Sequence, residues 1–188
     1  MGIESHAAIQ TAVHAVQQGG VIAYPTEAVY GLGCNPRDLT AVQRILDLKQ
    51  RPAHKGLILI AANFAQVAPY VLPLTPAIQT RIFAPTSHPT TWLLPVNPDV
   101  APLIRGEHDT LAIRFTQHPI CYALCQQLGH PLISTSANLS QHEPARSAAE
   151  VQQQFGTQLT YILDAPLGNA SAPSEIRDAR TGAVLRTA

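Results

Sequence analysis

The sequence predicts an α/β fold: one domain with a twisted, open, mixed sheet flanked by helices. Three observations predict it. Short apolar runs of strand character alternate with stretches of helical periodicity along most of the chain. The last such stretch, SEIRDARTGAVLR, alternates about Thr181-Gly182 as an antiparallel hairpin, so the sheet is mixed. The chain has 188 residues, of which 46% are hydrophobic and 13% charged, which suits one well-filled core and excludes a disordered or coiled-coil chain. The single domain is expected to run over residues 1–188.

The elements follow in order. Ile9, Ala12, Val13 and Val16 recur at helical spacing, so a helix is expected from Ser5, its N-cap, to Gln18, with Gly19-Gly20 as the stop. Val21–Pro25 reads as a strand, and TEAVYGLG after it as a loop in which Gly31 and Gly33 suit a tight path. Asp38 or Thr40 caps a helix striped by Val42, Ile45 and Leu46, which Pro52 must end. Gly56–Ala62 is a buried strand, Asn63 caps a short helix toward Tyr70, and Thr75-Pro76 opens a helix through Phe83. TWLLPV and TLAIRF are strands. The proline-rich segments APTSHPT and NPDVAPLIRGEHD beside them read as surface connections. Pro119 to Leu128 is a helix closed by Gly129, Pro131–Asn138 a strand entering a polar loop, and Ser147 to Phe155 a helix closed by Gly156. A strand near Leu159–Leu163 precedes the hairpin.

Charge and cysteine usage exclude several functions. Twelve basic and twelve acidic residues cancel, so no whole-molecule field draws the chain to nucleic acid or an anionic membrane. No apolar run approaches the ~18 residues of a membrane span, and the N-terminus lacks a secretory layout, so a cytoplasmic protein is expected. Cys34, Cys121 and Cys125 form no disulfide framework. His118, Cys121 and Cys125 share a helical face, but paired cysteines on a helix more often behave as small core hydrophobes than as metal ligands. There is no P-loop, no dinucleotide fingerprint, no nucleophile elbow and no H-E-x-x-H.

Two clusters remain. Both lysines of the chain, Lys49 and Lys55, lie with Arg51 in LKQRPAHKG, near what reads as an exposed helix end. A helix dipole accounts for Lys49 but not for cations continued past Pro52, so the cluster points to an anion such as phosphate or carboxylate. The second cluster is STSAN, where Ser134, Thr135, Ser136 and Asn138 gather neutral donors at a strand end suited to phosphate or ribose oxygens. Carboxylates are scarce near both, Glu27 being the main exception, so the chemistry is anion handling rather than paired-carboxylate hydrolysis.

YPTEAVYGLG, LKQRPAHKGLILIAA, DTLAIRFTQHP, PLISTSANLS and PSEIRD, in that order between Val21 and Arg186, closely resemble the YrdC/TsaC family of threonylcarbamoyl-AMP synthases. LKQRP together with STSAN is the most specific part of the match. The resemblance implies a concave, positively charged ligand cavity. It implies a nucleotidyl transfer in which L-threonine, bicarbonate and ATP, with Mg2+, give L-threonylcarbamoyladenylate and pyrophosphate. The product would feed threonylcarbamoyladenosine formation in tRNA through separate TsaD, TsaB and TsaE-type proteins, tRNA contact by this chain being weak or indirect.

Carried over residue by residue, the resemblance implies that Lys49 and Arg51 are catalytic and bind ATP with Lys55, Thr110, Ser136 and Asn138. Thr26, Arg114, Ser134 and Ser174 would bind threonine and its carbamate. No metal ligand is implied in the protein itself. Each of these residues also has a plain structural reading: Thr26 as a strand-end cap, Arg114 as the partner of Asp109 or another carboxylate, Ser174 as a turn cap. Tyr24 and Tyr30 could stack on adenine, but core packing is the commoner role. One departure stands out. Family members commonly carry W-P-G-P-x-T, whereas this chain has Thr86-Ser87-His88-Pro89-Thr90-Thr91, keeping the second proline and the final threonine, so the loop's path and substrate closure are expected to differ. A non-enzymatic RNA-binding module is the competing reading, and the balanced charge disfavours it.

Overall fold

In the computed structural model, which describes residues 3–139 and 142–187, nine strands form one mixed sheet. In chain order the elements are α1 (Ile3–Gln17), β1 (Ile22–Pro25), β2 (Tyr30–Gly33), α2 (Leu39–Lys49), β3 (Ile58–Ala61), α3 (Phe64–Val67), α4 (Pro76–Phe83) and β4 (Thr90–Pro95). They continue with α5 (Pro102–Arg105), β5 (Thr110–Phe115), α6 (Pro119–Leu128), β6 (Leu132–Ser136), α7 (Ala148–Phe155), β7 (Tyr161–Ile162), β8 (Glu175–Asp178) and β9 (Val184–Arg186). The strand order is β7-β1-β2-β6-β3-β5-β4-β8-β9. β1/β7, β3/β5 and β4/β8 are parallel and the other pairs antiparallel.

Strand periodicity sorts the core into layers. Ile22, Tyr24, Ile60 and Leu132 point to the face covered by α1 and α6, where they meet Val13, Val16, Cys121 and Leu124. Their neighbours Leu59, Ala61 and Ile133 point the other way, with Trp92, Leu94, Leu111 and Ile113, onto Val42, Ile45, Ile78 and Ile82 of α2 and α4. Phe155 and Val151 of α7 close a smaller cluster over Ala23 and Leu32.

Caps set the helix boundaries. Asp38 accepts from the Thr40 and Ala41 amides, Asn63 from Gln66, Thr75 from Ile78 and Ser147 from Glu150. Three expectations need correction. α1 begins at Ile3, so Ser5 lies inside the helix rather than capping it. NPDVAPLIRGEHD is not all connection, because Pro102 at a helical first position starts the short α5. YGLG is not a loop: it is β2, a hairpin partner of β1, with Gly31 facing Tyr24. Close approach requires glycine at Gly33 and leaves little room at Gly31. A Cβ on Gly33 would lie 2.6 Å from the Ile133 carbonyl oxygen and 2.7 Å from the Tyr24 ring, and one on Gly31 would lie 3.2 Å from Thr26.

Candidate functional site

The hairpin β1–β2, the end of α2, the start of β3, the ends of β5 and β6 and the terminal hairpin converge on one cavity of about 260 Å3. Thr26, Arg51, Arg114, Ser134, Ser136 and Ser174 all line it. They come from five separate places in the chain. The cross-strand register explains part of the meeting: Ile58 pairs with both Ser134 and Ala112, and Ile60 with Arg114, so Ser134 and Arg114 stand on one face of the sheet.

Each side chain is held. Thr26 Oγ1 donates to the Val29 carbonyl at 2.8 Å, which closes the hairpin turn and leaves the oxygen able to accept a further bond. Arg51 Nε and Nη2 donate to the Gly56 carbonyl at 3.1 and 2.9 Å, fixing the guanidinium against the loop that follows α2. Ser174, buried, shares a 2.7 Å hydrogen bond with Thr91 Oγ1. Arg114 has Glu27, not Asp109, as its partner: Nη2 lies 3.4 Å from Glu27 Oε2, while Asp109 pairs with Arg180.

Lys49 differs from the sequence expectation. It is 8% exposed, not at an open helix end. Its Nζ donates to the Ser136 carbonyl at 2.6 Å and to the Asn138 carbonyl and Oδ1 at 3.0 Å each. All three ammonium protons are thereby used. Asn138 Oδ1 also accepts from Ser136 Oγ at 2.6 Å, and its Nδ2 donates to the Leu139 and His142 carbonyls, so the amide is saturated as well. Burial, reinforced by the nearby Arg51 charge, pushes Lys49 down to about 8. Lys49 and Asn138 therefore stand behind the cavity wall and hold Ser136 in it. The division between Lys49 and Arg51 is made by Gln50, which caps α2 in the left-handed conformation at φ 48°.

Lys55 is exposed and does not line the cavity. Thr110 also lies off the lining, on the Arg114 face of β5 but four residues nearer the strand's start. Tyr24 is fully buried with its hydroxyl on the Ile133 carbonyl. Tyr30 lies on the cavity lining but is 1% exposed, its hydroxyl being held by the Ala165 carbonyl at 2.8 Å. Neither ring is free to stack on a base. Cys121 and Cys125 are core thiols bonded to the Pro25 and Ile60 carbonyls, and burial pushes both up, Cys125 to about 12. No group of three His, Cys, Asp or Glu able to hold a metal ion exists among the described residues.

The sequence reading missed Arg186, which lines the cavity from β9 and donates to the Ser174 carbonyl at 2.7 Å. No local motif marks it. The altered loop forms a wall: Pro89 lines the first cavity and, with Thr86, Ser87, His88 and Thr90, also a second of about 780 Å3 walled by Phe64, Phe83 and Phe115. Glu27 likewise faces both. Among the described residues, no helix is long and apolar enough to cross a membrane.

The Sua5/YciO/YrdC family model, described as "Telomere recombination", matches residues 14–188. A threonylcarbamoyl-AMP synthase of Nitrosococcus oceani is 50% identical over 178 residues, covering 95% of this chain and 96% of the relative. One of Idiomarina loihiensis is 51% identical over 178 residues, covering 93% and 95%. Among solved structures, P. abyssi Sua5 complexed with L-threonine superposes with a TM-score of 0.83 at 32% identity, over 95% of this chain and 52% of that one. E. coli YciO gives 0.79 at 28% identity, over 97% and 89%.

Proposed function

The chain belongs to the Sua5/YciO/YrdC family, and on that premise we propose that it condenses L-threonine, bicarbonate or CO2, and ATP to L-threonylcarbamoyl-AMP and pyrophosphate. The observation that carries the reading is the meeting of Arg51, Arg114 and Arg186 with the Ser134–Ser136 strand end around one cavity. Three guanidiniums against one carboxylate make that cavity an anion receptor, as a triphosphate and an amino-acid carboxylate together require.

The reaction is a nucleotidyl transfer. The threonine amine adds to CO2, and a carbamate oxygen then attacks the α-phosphorus while pyrophosphate leaves. No covalent enzyme intermediate is needed, so this chain contributes position and charge. Arg114, with Ser134 beside it, takes the threonine carboxylate. Arg51, Arg186 and the Ser136 hydroxyl take phosphate oxygens, and charge growing on them in the transition state is met by guanidiniums already fixed on Gly56 and Ser174. Lys49 and Asn138 keep the strand end in place. Mg2+ would come with the nucleotide and lower the charge of its phosphates; no group of three His, Cys, Asp or Glu among the described residues would hold it apart from ATP. The product is a mixed anhydride, whose acyl group suits transfer to tRNA by separate TsaD, TsaB and TsaE-type proteins.

Pyrophosphate release from purified chain tests this. Release is expected only when threonine, bicarbonate, ATP and Mg2+ are all present, with threonylcarbamoyl-AMP seen by mass spectrometry. Release that ignores threonine would overturn it.

A further inference from the structure

Among the described residues, Glu27 carries the one carboxylate on the cavity lining, and its surroundings are unusual. Oε1 accepts from Thr116 Oγ1 at 3.0 Å, and Thr116 Oγ1 in turn accepts the His118 amide at 3.1 Å. The backbone is clamped too: the Gly168 amide bonds the Thr26 carbonyl at 2.9 Å and the Ala170 amide the Glu27 carbonyl at 3.0 Å. A Cβ on Gly168 would lie 2.8 Å from Glu27 Cα, so the clamp is close. The other oxygen is poorly served. Oε2 is buried without a hydrogen bond, and Arg114 Nε is buried without one as well. The one approach between the two side chains is Arg114 Nη2 to Glu27 Oε2 at 3.4 Å, longer than the ~2.7–2.9 Å of a well-made charge-assisted bond. Buried polar groups left in this condition call for a partner.

We propose that Glu27 and Arg114 together form a receptor for an amino-acid zwitterion, in which Glu27 Oε2 binds the substrate's α-ammonium while Arg114 binds its carboxylate. This rests on the proposed function and adds what that reading leaves open, namely the group that recognises the amine. The two protein charges are adjacent, as the two charges of an α-amino acid are, and each has the sign its counterpart lacks. A divalent cation is the poorer occupant, because it needs several oxygen ligands and would meet a guanidinium at once. The ammonium brings three directional donors and one charge, which match a single carboxylate oxygen. Held there, the nitrogen has a fixed direction in the cavity. One ammonium proton passes to bicarbonate, which becomes CO2 and water, and the freed amine adds to CO2 as its second proton passes to solvent and the carbamate forms. Selection for an amine over a hydrogen or hydroxyl at that carbon then belongs to Glu27.

Calorimetric titration of the full chain with L-threonine and with 3-hydroxybutyrate, which lacks the amine, tests the assignment. The wild-type chain is expected to bind threonine at least about tenfold more tightly, the scale of one hydrogen bond to a charged group. Glu27→Gln should weaken threonine to near the affinity of the analogue and leave the analogue unchanged. Glu27→Asp, which keeps the charge and Arg114's counter-ion, should retain most of the preference and serves if the Gln variant does not fold. Equal weakening of both ligands in Glu27→Gln, or no preference in the wild type, would overturn the zwitterion receptor while leaving the proposed reaction standing. A wild-type chain that binds no threonine, with or without ATP, would overturn both.

Discussion

At the scale of single residues, Lys49 shows how a motif and its geometry divide the work. The spacing in LKQRP identified both cations, but the burial of Lys49 depends on a loop 87 residues away and was not legible locally. Lys49→Met preserves bulk and removes all three donors. It is expected to raise the KM for ATP by roughly tenfold or more, with a smaller change for threonine, because buried acceptors lose a charged partner. The pH dependence has a definite sign. Since Lys49 is pushed down to about 8, the unfolded chain holds this proton more tightly between about 8 and the ordinary lysine range. Its contribution to folding stability therefore improves as pH rises through that window, while one donor to the Ser136–Asn138 loop is lost. ATP affinity should fall above pH ~8 with no accompanying drop in Tm. A parallel drop in both would show that alkaline unfolding is responsible instead. Glu27 and Arg186 were not marked in the sequence as site residues, because the first is visible only through its distant partners and the second has no motif around it.

Among the elements, the starts of α2, α3, α4 and α7 were legible nearly to the residue because Asp38, Asn63, Thr75 and Ser147 bond backbone within their own first turn, whereas the start of α1 was misplaced and α5, which no side chain caps, was missed. β2 was not, since YGLG lacks the β-branched residues that mark strands and one of its partners is β6, about a hundred residues on. Its glycines answer to packing rather than to turn geometry. Gly33→Ala should destabilise the fold by about 1–3 kcal/mol in a denaturant titration, because both a backbone oxygen and a buried tyrosine ring would have to move. At the end of α2 the opposite change is favourable. Gln50→Gly removes a left-handed cost of about 1–2 kcal/mol, more than the ~0.4–1 kcal/mol lost to a freer unfolded chain, and should raise the denaturation midpoint.

For the whole molecule, the mixed sheet was legible from alternating elements and one terminal hairpin, whereas the strand order was not, because β6 inserts between β2 and β3 by long-range pairing. Formal charge balance has a measurable outcome. tRNA binding at physiological salt should be weak and its salt dependence shallow, since only a few cations face the cavity. Gel shifts across a salt series check this; tight, steeply salt-dependent binding without nucleotide would point to the RNA-binding alternative. The cavity draws its walls from Thr26 beside β1 to Arg186 in β9. Removing β9 alone would therefore leave most of the sheet paired while stripping the Ser174 carbonyl of its guanidinium partner and the receptor of one of its three cations.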